Sequence, residues 1–292
     1  LNKPAPATGP LYALLAYGAW GLLPIYWKFF SGIPPVEVLS HRMIWSLLFV
    51  SGLLLAQRRL PEVGQLLQTP QRLGVLLATA ALLTFNWGLY IYGVNTDRVI
   101  ETSLGYFINP LVNVLLGFLV LRERLHWGQV LAVVLASLGV ANFAWQLGSI
   151  PWIALGLAFS FAFYGLLRKL VTVAPLVGLA VETALMTPLA LALIAYWASI
   201  DVGHFGTGDG LTLLFVGAGV MTSLPLLWFN NAAKRLTLST LGFFQYLAPS
   251  IQLMLGIFLY GEAFTPYHAM TFGCIWAALA FYSATSWLLR VR

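Results

Sequence analysis

The chain has a single cysteine, Cys274, and it lies inside an apolar run, so no intrachain disulfide, CxxC metal site or zinc cluster can be built. Charge is almost as scarce: Asp, Glu, Lys and Arg make up 8% of 292 residues. The carboxylates are too few and scattered to offer an evident acid–base pair. No HExxH or GxSxG pattern supplies a metal site or a nucleophile elbow. There is no GxxxxGK[ST] loop, which excludes ATP hydrolysis through a P-loop. An enzyme has little to work with here, and no cofactor or metal is expected. A membrane enzyme acting on lipid-like molecules would lack each of these catalytic motifs.

What fills the chain instead is hydrocarbon. Hydrophobic residues reach 60% and the mean hydropathy is +0.86, which a soluble globular domain does not show. The apolar runs repeat at about 20 residues, the length a helix needs to cross a hydrocarbon core of ~30 Å. Ten spans are predicted, at 10–30, 35–56, 73–94, 101–121, 126–146, 151–168, 175–198, 210–230, 237–260 and 266–289. The fold class is an all-α integral membrane protein. Leu1 to Pro10 is proline-rich, lacks an initiator Met and shows no signal-peptide pattern, so a trimmed N-terminus is expected.

The net charge of +6 is explained by placement rather than by nucleic acid. Counting loops alternately, the side that holds both termini carries Lys3, Arg58, Arg59, Arg72, Arg122, Arg124, Arg168, Lys169, Lys234, Arg235, Arg290 and Arg292. The other side carries only Lys28 and Arg98, and Arg42 lies within a span. By the positive-inside rule both termini are expected in the cytoplasm. The partners implied are membrane lipid and a small-molecule substrate, and one chain is expected to suffice as a monomer.

A weak internal repeat runs through these spans. Arg98, Leu104, Gly105 and Phe107 recur as Arg235, Leu241, Gly242 and Phe244, at an offset of 137. After a two-residue slip, Pro110, Leu116, Gly117 and Glu123 recur as Pro249, Leu255, Gly256 and Glu262, at an offset of 139. The units are 10–146 and 151–289, five spans each. Five is odd, so the second copy must be inverted, the arrangement by which many secondary transporters build two equivalent states around a midplane site.

Residues at membrane depth are the functional candidates. Pro24, Pro110, Pro188, Pro225 and Pro249 lie within spans and each removes a backbone hydrogen bond. The repeat mates Pro110 and Pro249 are either hinges or fixed kinks. Small residues such as Ala132, Ala136 and Gly139 point to close helix packing. Arg42 and Glu182 each follow a span-opening proline by seven residues and occupy mirrored places with opposite charge. They form either an ion pair or two halves of a substrate site, Arg42 meeting an anion and Glu182 an amine or a coupling proton. His41 adds a group that titrates near neutral pH. Asn86 and Tyr90, Tyr106 and Asn109 with Asn113, Gln245 and Tyr246, and the mates Trp20 and Tyr164 either line a cavity for an amphipathic molecule or pack between helices. Trp27, Trp127, Trp145, Trp152, Trp197 and Trp287 near span ends read as interface anchors.

Several stretches also resemble a known family. Ser40-His41-Arg42 with Trp45-Ser46, Ser103 to Asn113 (SLGYFINPLVN), Ala154 to Leu167 (ALGLAFSFAFYGLL) and Leu238 to Tyr246 (LSTLGFFQY) are similar to the RarD branch of the EamA permeases, in the drug/metabolite transporter superfamily. The resemblance implies a bacterial inner-membrane permease with two five-helix EamA repeats and cytoplasmic termini. RarD proteins are named for chloramphenicol sensitivity, and relatives in the superfamily export amino acids and other metabolites. A secondary exporter of small amphipathic metabolites, amino acids, related compounds or drugs, is the leading expectation. A passive channel on the same helices is the alternative.

Overall fold

The computed structural model describes residues 8–120, 122, 126–169, 171, 173–208, 210–236 and 238–291. Lys3, Glu123, Arg124 and Arg292 fall outside the described residues, as do the side chains of Trp287 and Arg290.

Helices account for the fold, and punctuation in the sequence sets their ends. α1 (Thr8–Lys28) leads into α2 (Pro35–Ala56), then α3 (Leu60–Leu67), α4 (Pro70–Asn95), α5 (Val99–Leu119) and α6 (Trp127–Leu147). The second half holds α7 (Trp152–Arg168), α8 (Pro175–Ser199), α9 (Leu211–Ala233), α10 (Leu238–Gln245), α11 (Leu247–Met254) with a π-helical turn at Leu255–Leu259, and α12 (Pro266–Val291). Proline opens α2, α4, α8 and α12, where its fixed φ suits the first turn and no N–H is needed. A capping box closes the start of α6: the Gln129 side chain accepts from the His126 N–H at 2.8 Å. Gly148, at φ 66°, ends the same helix in a left-handed conformation that suits glycine.

Among the described residues, α2, α4, α5, α6, α8 and α9 are each long and apolar enough to cross a membrane, and α7 and the α11 region are shorter apolar helices. Two elements differ from the sequence expectation. The loop after the second span contains α3, an eight-residue helix with only Leu66 buried. An Arg59–Glu62 pair at 2.6 and 2.8 Å opens it, and that hydrogen bonding holds the Glu62 carboxyl below its usual range. The ninth span is not one helix but breaks at Tyr246, whereas α5 runs unbroken through Pro110. Pro249 leaves the Gln245 carbonyl without its helical donor, as Pro110 does for Tyr106 in the unbroken α5, so the proline permits this break without imposing it.

Packing is by close approach of small residues. α6 lies against α12, with Gly139 beside Cys274 and Gly128 beside Thr285, so the two run antiparallel. Buried Ala132 and Ala136 belong to the same contact region. α2 packs on α8 and α9, α5 and α4 both pack on α7, and α1 packs on α9 and α11. A Cβ on Gly105 would sit 2.7 Å from the Ala154 carbonyl oxygen, and one on Gly21 would sit 2.8 Å from Ile251. These glycines let helix backbones touch.

Candidate functional site

Two polar centres lie inside the bundle, and they are separate. The first is Arg42, 4% exposed on α2. Its guanidinium carbon lies 4.8 Å from the Trp27 ring centroid and 3.9 Å from that of Trp87. These are favourable cation–π contacts, stronger where the cation is desolvated. The phenols of Tyr26, Tyr90 and Tyr106 face the same charge, and the Tyr90 and Tyr106 rings meet edge to face at 5.7 Å. No carboxylate pairs with Arg42 among the described residues. Among the described residues its Nε and Nη1 find no acceptor, and neither the Trp27 indole N–H nor the Tyr90 hydroxyl finds a partner. A buried cation with unused donors costs free energy unless an acceptor arrives.

The second centre is Glu182, 2% exposed on α8. It accepts a hydrogen bond from Thr79 at 2.7 Å and one from Tyr164 at 3.4 Å, and Arg168 Nη1 stands 3.7 Å away. The ion pair between Arg42 and Glu182, one of two readings open from the sequence, is therefore not formed. Glu182 takes its cation from the end of α7 instead.

The remaining candidates divide by what their polar atoms do. Asn86 on α4 donates to the Leu157 carbonyl at 3.0 Å and the Ser160 hydroxyl at 2.9 Å, and accepts from Tyr106 at 3.5 Å. Asn109 on α5 donates to the Ala158 carbonyl at 2.9 Å, and Asn113 donates to Asn109 at 3.2 Å. Both amides thus bind α7 to its neighbours. His41 stacks on Phe205 at 4.8 Å and contacts Phe215 at 4.2 Å, on another side of α2 from the tryptophans around Arg42. Trp20 packs against Tyr17 and Phe229, and its carbonyl accepts from Gln252 at 3.2 Å. Gln245 is half-buried at the end of α10, and Tyr246 at the break stacks parallel to Phe107 at 6.3 Å. Pro249 has its carbonyl bound by the Ser103 hydroxyl at 2.8 Å.

Trp27 corrects an expectation. It is fully buried over Arg42, not an interface anchor, while Trp127, Trp145 and Trp152 are well exposed. Distance from the span end specifies depth but not which face of the helix a residue occupies.

Sequence reasoning also passed over three carboxylates at helix ends. Glu37 accepts from the His204 backbone N–H at 2.7 Å and contacts its ring Nδ1 at 2.8 Å, fastening the loop between α8 and α9 to α2. Glu101 accepts from Ile153 and Ala154 N–H at 3.1 and 3.4 Å and pairs with Arg98. Glu262 accepts from Val99 and Ile100 N–H at 2.6 and 2.8 Å, and burial pushes its carboxyl above the usual range against those two bonds. Glu101 and Glu262 sit on the first-turn donors of α7 and α5, where helix dipoles favour negative charge. The only signal in the sequence was an acid within a residue or two of a span boundary.

The model of the EamA-like transporter family matches residues 7–144. Over 282 residues the chain is 47% identical to an uncharacterized transporter of Pseudomonas aeruginosa, covering 96% of this chain and 94% of that one. It is 46% identical over 275 residues to protein RarD of Escherichia coli, covering 94% and 93%. A solved crystal structure at 18% identity covers 97% of this chain and 99% of its own, with a TM-score of 0.61, a likeness of fold. On this near full-length similarity, the protein is a multi-pass membrane protein that belongs to the RarD proteins of the EamA-like transporters, in the drug/metabolite transporter superfamily.

Proposed function

We propose that the chain is a secondary transporter that exports small amphipathic metabolites, amino acids and related compounds, across a bacterial inner membrane. Two five-span halves, 10–146 and 151–289, rock against each other with both termini in the cytoplasm and one chain sufficient. The packing supports an inverted pair. Exchanging α1 with α7, α2 with α8, α4 with α9, α5 with α10–α11 and α6 with α12 maps the most extensive helix contacts onto one another. Alternating access needs mates that differ within any one state. The unbroken α5 and the broken α10–α11 meet that need, with Pro110 and Pro249 as the paired hinge points.

The observation that carries the reading is Arg42, buried among aromatic rings with donors that nothing among the described residues satisfies. Arg42 orients the anionic group of the substrate, and Trp27, Trp87, Tyr90 and Tyr106 hold its apolar body. Glu182 meets a proton or an amine only in a state where Arg168 has moved away. Trp20, His41, Gln245 and Tyr246 line the route rather than the anion site, and Asn86, Asn109 and Tyr164 brace it.

Counterflow in proteoliposomes tests this, with labelled amino acids and aromatic acids and an imposed proton gradient. Saturable exchange that Arg42→Ala removes is expected, with the variant still folded in the membrane. Normal exchange by that variant would sink the assignment. Non-saturating flux without exchange would point to a channel.

A further inference from the structure

We infer, resting on the transporter reading above but narrowing its substrate class, that among small amphipathic metabolites the Arg42 site selects carboxylates that carry no ammonium of their own, organic acids of net negative charge, over the zwitterionic amino acids named there.

The groups around the guanidinium set this selectivity. The unused groups there are mainly donors: Arg42 Nε and Nη1 and the Trp27 indole N–H, with the Tyr90 hydroxyl, which can donate or accept, beside them. Tyr26 spends its hydroxyl on the Leu214 carbonyl and Tyr106 on Asn86. Trp27 and Trp87 already place their rings against the guanidinium, so their π faces serve one cation. A carboxylate entering at the guanidinium edge would satisfy the donors and neutralise the charge, the pairing that the planar fork of arginine suits best.

An α-ammonium has no comparable welcome. Its carbon skeleton holds it about 3–4 Å from its own carboxylate, and so within a few ångströms of Arg42, where like charges repel. It would need a carboxylate on the protein, and the buried ones among the described residues are engaged. Glu37 is bound by His204, Glu101 by Arg98 and the start of α7, and Glu182 by Thr79, Tyr164 and Arg168. A buried ammonium without a counter-charge is strongly disfavoured, and sites with the wrong polar complement reject close analogues by orders of magnitude.

Three ligands that share one ring separate the possibilities: phenylacetate, L-phenylalanine and 2-phenylethylamine. Binding to the purified chain is read by intrinsic tryptophan fluorescence, since Trp27 and Trp87 report on the site directly. The expected order is saturable phenylacetate binding, L-phenylalanine weaker by about 100-fold or more, and no site-specific signal from the amine. Arg42→Gln should abolish the phenylacetate response, and Tyr90→Phe should weaken it by about tenfold through loss of one donor. The ligand order on the native chain decides the matter even if Arg42→Gln does not fold. If L-phenylalanine binds as tightly as phenylacetate and both depend on Arg42, the selectivity is overturned while the anion site stands. If phenylacetate gives no saturable signal, or one that survives Arg42→Gln and Tyr90→Phe unchanged, the site itself is wrong.

Discussion

Replacing Glu101 tests the contact on which the core of the bundle hangs. Along one face of α5, spaced four residues apart, Glu101 accepts from Ile153 and Ala154 N–H, Gly105 meets the Ala154 carbonyl, and Asn109 donates to the Ala158 carbonyl. All three act on α7, whose own inner face is largely alanine and leucine and offers little but backbone to bind. In Glu101→Ala the bond at 3.1 Å is lost outright, worth about 1.5–3 kcal/mol for a charge-assisted bond. The bond to Ala154 is near the distance limit at 3.4 Å and adds less. Arg98 is 31% exposed and regains water, so its lost pairing adds about 0.2–1 kcal/mol. The sum is about 2–4 kcal/mol, and Glu101→Gln, which keeps one acceptor, should lose roughly half of it. At 1.4 kcal/mol per decade, local opening at the start of α7 becomes about 30-fold or more easier. Hydrogen–deuterium exchange at Ile153 and Ala154, with thermal unfolding in micelles alongside, reads this out. Unchanged exchange at those two amides in Glu101→Ala would refute the reasoning.

Three further outcomes follow from the same geometry. Gly105→Val places side-chain carbon against the Ala154 carbonyl, so it should force α5 from α7 and lower the unfolding temperature more than Gly32→Val, whose neighbourhood is open but whose φ of 88° is strained. Ser103→Ala removes the donor to the Pro249 carbonyl, costing about 1 kcal/mol and speeding exchange across residues 246–252; no change in either would remove Ser103 from the hinge. Burial raises the Glu262 pKa above the usual carboxylate range despite its two backbone bonds, so the folded chain holds this proton more tightly than the unfolded one, and stability present at low pH falls as pH rises through the raised pKa. Glu262→Gln should flatten that slope, and an unaltered pH profile of thermal unfolding would contradict it.

Much of the fold was legible because its rules are written in single residues. Proline at positions 35, 70, 175 and 266 marks where helices open, and spans of about 20 apolar residues have few alternatives in a bilayer. The short helix α3 escaped because an eight-residue amphipathic turn adds no apolar run. The site was legible by depth but not by direction. Arg42 and Glu182 stood out as ionisable groups within spans, yet which partner each takes depends on helix rotation. Trp27 and Arg168 show the same limit from the other side. Both lie at span ends, where an interface role is the natural reading, and both turn inward, onto Arg42 and Glu182. Asn86 and Asn109 were open to cavity lining or to packing between helices, and which of the two their amides serve is set by carbonyls on α7 that the sequence does not place beside them.

The most direct test of the Arg42 site is an experimental structure of the native chain with saturating phenylacetate. The expected result is the carboxylate at hydrogen-bonding distance from the Arg42 guanidinium, about 2.7–2.9 Å, with the ring among Trp27, Trp87 and Tyr90. Phenylacetate bound elsewhere, with the Arg42 donors still unmet or taken by a protein carboxylate, would contradict it.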